Sequence, residues 1–191
     1  GRGFGPDPFG NFSRKARRGR DIESELGLTL EEAYHGGRKT ISLNTAHGQK
    51  SLEVNIPAGV KEGARIRLAG QGDPSVGGQP GDLYLRIKLL PHANFAVEQS
   101  NLIHDLSLAP REAALGAKVR VPTLDGEVEI AVPAGSSTGK KLRMRGRGLG
   151  SGANKGDEFI RISIRVPEKT TDEEKKLWEQ LAEVSKFKAR Q

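Results

Sequence analysis

The sequence predicts a mostly β protein, built from two tandem, similar β-sandwich-like domains with short helices and a separate helix at the C-terminal end. The first observation behind this prediction is a repeated set of turn residues. Because proline restricts φ and glycine permits positive φ, a matched set of these residues predicts a matched backbone. The set Pro57, Ala58, Gly59, Gly63, Gly70 and Gly72 recurs 76 residues later as Pro133, Ala134, Gly135, Gly139, Gly146 and Gly148.

The second observation is the alternation of apolar and polar residues in the short segments between these turns. Leu26 and Leu28 alternate with polar neighbours, and so do Ile41 and Leu43. A period of two predicts strands with one apolar face. Upstream, the repeat has a spacing of 80, which indicates a hairpin four residues longer in the first copy. The upstream positions Leu26, Leu28, Ala33, Gly36 and Ile41 correspond to Leu106, Leu108, Ala113, Gly116 and Val121.

The third observation is an amphipathic segment after the second copy that has no counterpart after the first. Thr171, followed three residues later by Glu174, predicts a helix that begins with a capping box. Apolar residues then recur at helical spacing over about four turns. Their face either packs on the second domain or pairs with another chain, and pairing is the favoured interpretation. The residues of this face are Leu177, Trp178, Leu181 and Val184.

These patterns predict four regions along the 191 residues. Residues 1–20 are a basic linker rich in Gly and Phe, whose composition does not favour a packed core. Residues 21–97 form the first domain and residues 98–167 the second. Residues 168–191 contain the terminal helix.

The net charge of +7 is unevenly distributed. Residues 1–20 carry six basic groups against one acidic group, and residues 129–167 carry eight against three, so each region has a charge of +5. Two interpretations stay open: these regions contact an anionic partner, or they serve solubility and linker chemistry. The chain has no cysteine and no apolar run as long as a membrane helix, so we expect a cytoplasmic protein without a membrane partner.

The sequence offers no catalytic constellation, so we expect neither an enzyme nor a bound metal or cofactor. The segment from Gly135 to Lys141 resembles a phosphate loop only superficially, because three residues rather than four separate its glycines. The four histidines have no metal-ligand spacing. They are His35, His47, His92 and His104.

The order and spacing of several short segments resemble the C-terminal peptide-binding half of the DnaJ family of J-domain co-chaperones. These segments are Leu28–Ala33, Asn55–Val60, Arg65–Gly72, Pro91–Phe95 and Ala113–Gly116. Without cysteines, the chain resembles the zinc-free subclass, and within it the bacterial curved-DNA-binding members. Because residues 1–12 resemble the linker that follows the J domain, and no His-Pro-Asp triplet occurs, we expect a fragment that does not stimulate a partner ATPase by itself.

The resemblance implies a shallow apolar groove in the first domain that binds unfolded polypeptides. A second interpretation stays open for the apolar members of this set, which is that they are ordinary core residues. On matching positions, the groove and its rim consist of Leu26, Leu28, Lys39, Ile41, Leu43 and Leu85.

The resemblance further implies a homodimer formed by the terminal helix, and delivery of clients to a DnaK-type chaperone by the full-length protein. The alternative function is DNA binding without sequence specificity, with association with the nucleoid. Binding of this kind depends on basic groups that contact phosphates. The candidate residues are Arg17, Arg18, Arg20, Lys140, Lys141, Arg143, Arg145 and Arg147.

Overall fold

A computed structural model describes residues 18–45, 48–75 and 78–190. Eleven strands and three helices lie in this part of the chain, together with one 3₁₀ turn. In order they are β1 (Ile22–Leu28), α1 (Leu30–His35), β2 (Gly37–Thr45), β3 (Gly48–Ile56), β4 (Arg65–Leu68), β5 (Leu83–Leu89), β6 (Ala96–Glu98), β7 (Asn101–Leu108), α2 (Pro110–Leu115), β8 (Ala117–Thr123), β9 (Gly126–Val132), β10 (Lys141–Met144), the 3₁₀ turn (Gly152–Asn154), β11 (Glu158–Ile164) and α3 (Asp172–Val184).

The described residues form two compact units. Unit 1 contains the described chain up to Ala93 together with Gly148–Gly156, and unit 2 contains Asn94–Arg147 and the chain from Asp157 onward. The segment Gly148–Gly156 belongs to the second copy by sequence, yet it groups with unit 1. One repeat is therefore not one unit in the folded chain.

Unit 1 contains a three-stranded sheet and a separate hairpin. The sheet has the order β1-β5-β4, with β1 parallel and β4 antiparallel to the central strand. The hairpin pairs β2 with β3. Leu83, Leu85 and Ile87 alternate along β5 and are each only 1% exposed, whereas Arg86 and Lys88 point outward. This alternation builds the apolar face of the sheet.

Unit 2 repeats this arrangement with one additional strand. Its sheet has the order β10-β11-β7-β6, with β11 parallel to β7, and β8 pairs with β9 in a hairpin. Part of its core is a cluster of three buried residues, Leu108, Val132 and Ile162. Four partly buried side chains pack against them: Leu106, Val119, Leu142 and Ile164.

Threonine side chains cap the N-terminal ends of α1 and α3, and α3 begins where its predicted capping box lies. Thr171 accepts a hydrogen bond from the Glu174 amide at 3.2 Å, and the Thr171 amide donates to the Glu174 carboxylate at 2.8 Å. Thr29 and Glu32 form the same reciprocal pair at the start of α1. These bonds satisfy amides that have no partner inside the helix. The structure confirms the predicted fold class, a mostly β chain with short helices and one helix at the C-terminal end.

Candidate functional site

The predicted groove residues lie on and beside two strands of unit 1 that each have an unpaired edge. β1 is the outer strand of its sheet, and β2 has β3 as a neighbour on one side only. Within the described residues, no strand pairs with the other edge of either one. Such an edge presents a row of free amide and carbonyl groups to which an extended peptide can add as a further strand.

Burial divides the six predicted groove residues into two groups. Leu28 and Leu85 are enclosed, with exposed fractions of 0% and 1%. Leu26 and Ile41 are also buried, at 8% each, but they retain some surface. Leu43 is half-buried. Of the apolar side chains in this set, Leu43 is therefore the most available to a bound segment.

Lys39, the sixth predicted residue, joins three elements of unit 1. Its Nζ lies 2.8 and 2.7 Å from the two carboxylate oxygens of Glu32 and 3.4 Å from the carbonyl oxygen of Gly27. These bonds connect β2 with α1 and with the end of β1. The pKa of Glu32 is lowered, first by the hydrogen bond from Lys39 and then by the Thr29 amide. The carboxylate of Glu32 therefore balances the positive charge of Lys39.

Beside this network is a second contact that the sequence did not single out. Nε2 of His92 lies 2.9 Å from Oε1 of Glu31, a residue of α1. The pKa of Glu31 is lowered, mainly by the backbone amide of the same residue and further by His92. The two residues are 61 positions apart, so no local pattern identifies them as partners.

The segment Gly148–Gly156 covers another part of α1 in unit 1. Nζ of Lys155 lies 4.7 Å from the centre of the Tyr34 ring and donates to its hydroxyl at 3.1 Å. The Gly150 amide donates to the Gly59 carbonyl at 2.8 Å. Sequence reasoning missed this segment as a part of the first unit, because its contacts join residues of different repeats.

The apolar face of α3 is uncovered within a single chain. Leu177 is 65% exposed and Trp178 is 40% exposed, although both are large apolar side chains. Phe187, which follows the helix and was not among the predicted residues, is 82% exposed. Contiguous apolar surface of this kind typically marks an interaction site. The other exposed residues of the face are Leu181 and Val184.

Several of the eight basic residues that were predicted as DNA-binding candidates are bonded to other residues of this chain. Arg17 lies outside the described residues. Arg18 pairs with Asp82 at 2.7 Å, and Arg143 pairs with Asp157 at 2.6 Å. Arg147 donates from Nη1 to the Thr123 hydroxyl at 3.2 Å. Within residues 18–45, 48–75 and 78–190, four exposed members of the set have no ion pair: Arg20, Lys140, Lys141 and Arg145.

Asp82 and Asp157 occupy equivalent positions in the two copies and perform the same structural task. Each accepts the amide of a turn glycine, Gly70 in unit 1 and Gly146 in unit 2, at 2.8 Å. That bond, with those from Arg18 and a second arginine, lowers the pKa of Asp82 to about 2. The pKa of Asp157 is also lowered, first by the glycine amide. Both carboxylates therefore tie turns to strands.

The described part of the chain offers neither a metal site nor a membrane-spanning helix. No group of three or more His, Cys, Asp or Glu side chains there is arranged to hold a metal ion. No helix among the described residues has the length and apolar character that crossing a membrane requires.

The tandem units and their turn skeleton define a protein of the DnaJ C-terminal class. The family described as DnaJ C terminal domain matches residues 22–167, so the chain belongs to this family. The match covers both units and ends before α3.

Individual relatives agree with this assignment. The chain is 44% identical over 180 residues to "Chaperone protein DnaJ 2" of Thermus thermophilus. The aligned region covers 94% of this chain and 62% of that protein. It is 44% identical over 201 residues to the "Curved DNA-binding protein" of Coxiella burnetii, covering 95% of this chain and 64% of that protein. A protein of the same name from Pseudomonas putida is 42% identical over 206 residues, covering 100% and 65%. The chain thus spans somewhat less than two thirds of the length of these relatives.

Proposed function

We propose that this chain is the client-binding part of a co-chaperone. It binds exposed apolar segments of non-native polypeptides and, within a longer protein, delivers them to a DnaK-type chaperone. The observation that carries this proposal is the unpaired edge of β2 beside the half-buried side chain of Leu43. An open strand edge can pair with an extended segment of another chain, and apolar surface beside that edge can contact the side chains of the same segment.

Binding at this edge combines two kinds of contact. Backbone amides and carbonyls of β2 pair with an extended client segment, whatever its sequence. Leu43, with the small remaining surface of Leu26 and Ile41, contacts the apolar side chains of that segment. Main-chain pairing supplies affinity that tolerates many sequences, and the apolar contact selects segments that a native protein would bury. This combination suits a protein with diverse clients.

The same proposal includes a homodimer that forms through α3. The helix is 13 residues long and exposes its apolar face in the single chain. Pairing that face across a two-fold axis removes four large apolar side chains from water, and Phe187 extends the surface beyond the helix. Two client sites on one dimer then bind a long unfolded chain more tightly than either site alone, because the second contact is intramolecular.

The substitution Leu43→Asp tests the client site. A carboxylate at this position opposes apolar contact, so we expect affinity for a labelled apolar peptide to fall roughly tenfold or more. Suppression of aggregation of a chemically denatured protein should fall in parallel. Leu43→Met, which keeps an apolar side chain of similar size, should retain both activities.

Two controls make this result interpretable. Sedimentation should give the mass of two chains for the wild type and for Leu43→Asp, and of one chain when residues 172–190 are removed. Circular dichroism should be unchanged by either Leu43 substitution. If Leu43→Asp retains full peptide affinity with an intact fold, the client site lies elsewhere.

Leu85→Asp is unsuitable as a test, because Leu85 is 1% exposed and a buried charge disrupts the core.

We propose DNA binding as a second function, supported by one specific observation. Lys140, Lys141 and Arg145 are exposed and without ion pairs along the edge strand β10 and its flanks. Two of the relatives described above carry the name "Curved DNA-binding protein". Free cationic groups on an edge can contact phosphates and release counterions.

A gel shift with duplex DNA at two salt concentrations tests this second function. If all three groups contact phosphates, wild-type affinity should fall roughly 40-fold for a fourfold rise in salt. Replacing the three with alanine should remove this dependence. Replacing Lys169, Lys175 and Lys176, which are also exposed, removes the same charge elsewhere and should have little effect. Absence of binding at low salt would eliminate DNA binding as a function.

A further inference from the structure

Unit 2 contains a buried carboxylate that has no hydrogen-bond partner. Glu158, the first residue of β11, is 0% exposed. Neither of its carboxylate oxygens has a hydrogen-bond partner among the described residues. Its register partners are Leu102 on β7 and Met144 on β10, and both are apolar. Burial of a polar group in these surroundings costs free energy, and burial of its charged form costs much more.

Unit 1 has no such group at the equivalent position. The sequence Gly-Asp-Leu ends at Leu83 in the first copy, and Gly-Asp-Glu ends at Glu158 in the second. Leu83 is 1% exposed, so both positions belong to the core. An apolar side chain therefore satisfies this site in one unit, and an ionisable side chain occupies it in the other.

Two further positions also differ between the two units. Thr123 and Arg147 of unit 2 correspond to Leu43 and Gln71 of unit 1. Arg147 donates to the Thr123 hydroxyl at 3.2 Å, and Thr123 donates to the carbonyl of Gly126 at 2.6 Å. Positions that are apolar or neutral in unit 1 therefore form a polar cluster in unit 2. We call Glu158, Arg147 and Thr123 the polar cluster.

The charged groups around Glu158 leave its ionised form poorly compensated. Burial raises the pKa of Glu158 to about 7, and the charge of Arg147 opposes this rise only in part. The guanidinium of Arg147 is bonded to Thr123 rather than to the carboxylate. Asp157, the neighbouring acid, is bonded to Gly146 and Arg143. The register partners of Glu158 on both neighbouring strands are apolar. Arg147 is the cation whose charge acts on the Glu158 carboxyl group.

We propose that the polar cluster makes the packing of unit 2 sensitive to pH near neutrality, with a tightly packed unit when Glu158 is protonated and a loosened β10–β11 region when it is ionised. Ionisation requires the carboxylate either to draw Arg147 away from Thr123 or to admit water between the strands. Either change disturbs the edge of the sheet. Unit 1 has Leu83 at this position and does not respond in the same way.

The direction of the effect follows from the two protonation equilibria. The pKa of the Glu158 carboxyl group is about 7 in the folded chain, against an ordinary value of 4.5 for glutamate. Protonated Glu158 makes unit 2 more stable than ionised Glu158 does. This stability difference is fully present below pH 4.5, decreases as pH rises from 4.5, and is lost above about 7. A difference of about 2.5 pH units corresponds to a change of roughly 300-fold in the unfolding equilibrium constant of unit 2. Unit 2 is therefore expected to be more stable at mildly acidic pH.

Hydrogen exchange of the full chain, followed by mass spectrometry between about pH 5 and pH 8, tests this proposal. After correction for intrinsic exchange rates, opening of β7, β10 and β11 in the wild type should increase by roughly 70-fold over this range. Opening of β1 and β5 should change far less. In Glu158→Leu, which copies the residue of unit 1, the unit 2 strands should lose this dependence and be better protected at high pH.

Glu158→Gln provides a second variant of nearly unchanged size. It cannot ionise, so its unit 2 strands should also be insensitive to pH, and the test remains valid if Glu158→Leu does not fold. A wild-type pH dependence in unit 2 that matches that of Glu158→Gln would overturn the proposal. So would an equal response of both units in the wild type, because unit 1 lacks the carboxylate.

Discussion

The two units have nearly the same turn geometry but use it in different surroundings. Gly59 has a φ of 74° and its repeat partner Gly135 has a φ of 72°. A Cβ atom on Gly59 would lie 2.1 Å from the carbonyl oxygen of Gly150, whereas a Cβ on Gly135 would have no neighbour within 4 Å. The backbone requirement for glycine is therefore a local property of the turn. The close approach of another segment is an additional demand in unit 1 alone.

The side chains differ more than the backbones. Lys39 in unit 1, bonded to Glu32, corresponds to Val119 in unit 2, which packs against the core cluster. The buried Leu83 corresponds to the buried Glu158. The repeat therefore preserves the fold through its turns, and the units acquire different properties at the positions between the turns.

The largest effect is expected from a matched pair of glycine substitutions. Gly135→Ala should cost about 1–2 kcal/mol, because an L-residue is strained at positive φ. Gly59→Ala carries the same strain and also forces the segment around Gly150 away from the turn at Gly59. We expect this displacement to add about 1–3 kcal/mol to the cost. Urea unfolding, with hydrogen exchange to assign the loss to unit 1 or unit 2, measures both values.

Equal costs for the two substitutions would contradict the proposed role of the Gly150 contact. If both costs are small, the segment Gly148–Gly156 does not depend on Gly59 for its packing. If both are large, the turn of unit 2 has a neighbour at Gly135 that a single chain does not supply, such as a second chain.

A smaller effect is expected from Arg18→Ala, which makes the environment of Asp82 more similar to that of Asp157. Asp82 then keeps Arg67 and the Gly70 amide but loses one of its two arginines. Its pKa should rise from about 2 toward the ordinary aspartate value of 3.8. Because this pKa is lowered on folding, the carboxylate stabilises unit 1 above pH 3.8 and loses that effect as pH falls toward 2. Carbon-13 NMR titration of the carboxyl group measures the shift.

The stability consequence of Arg18→Ala should be modest, since the Arg18 side chain is 55% exposed and solvent screens its charge. Arg20→Ala, whose side chain is not bonded to Asp82, should leave the Asp82 pKa where it is. An unchanged Asp82 pKa in Arg18→Ala would mean that Arg67 and Gly70 alone account for the low value.

Local patterns in the sequence were sufficient for the fold class and for several details. The alternation of Leu26 and Leu28 with their neighbours predicted a strand with one apolar face, and the capping pair Thr171 and Glu174 predicted the start of α3. These features depend on residues within a few positions of one another, so short-range rules identify them. The matched glycines further indicated that the domain occurs twice.

The candidate groove was less predictable for a physical reason. Alternation assigns Leu26, Leu28, Ile41 and Leu43 to apolar faces, but it does not say how much of each face a neighbouring layer covers. In the structure Leu28 is fully enclosed and Leu43 is only half-buried. The difference depends on elements that lie far away in the chain. The client site therefore stays a proposal, which the Leu43 variants test.

Taken by itself, the sequence determined where the chain turns, which strand face is apolar, where α3 begins and that the domain is repeated, because these properties depend on φ preferences and short-range periodicity. Only the tertiary structure decided that Gly148–Gly156 packs in unit 1, that Arg18 and Asp82 are partners and that Glu158 is buried without one. Each of these depends on which distant residues approach one another. Packing and desolvation act across space, and a one-dimensional pattern does not record those distances.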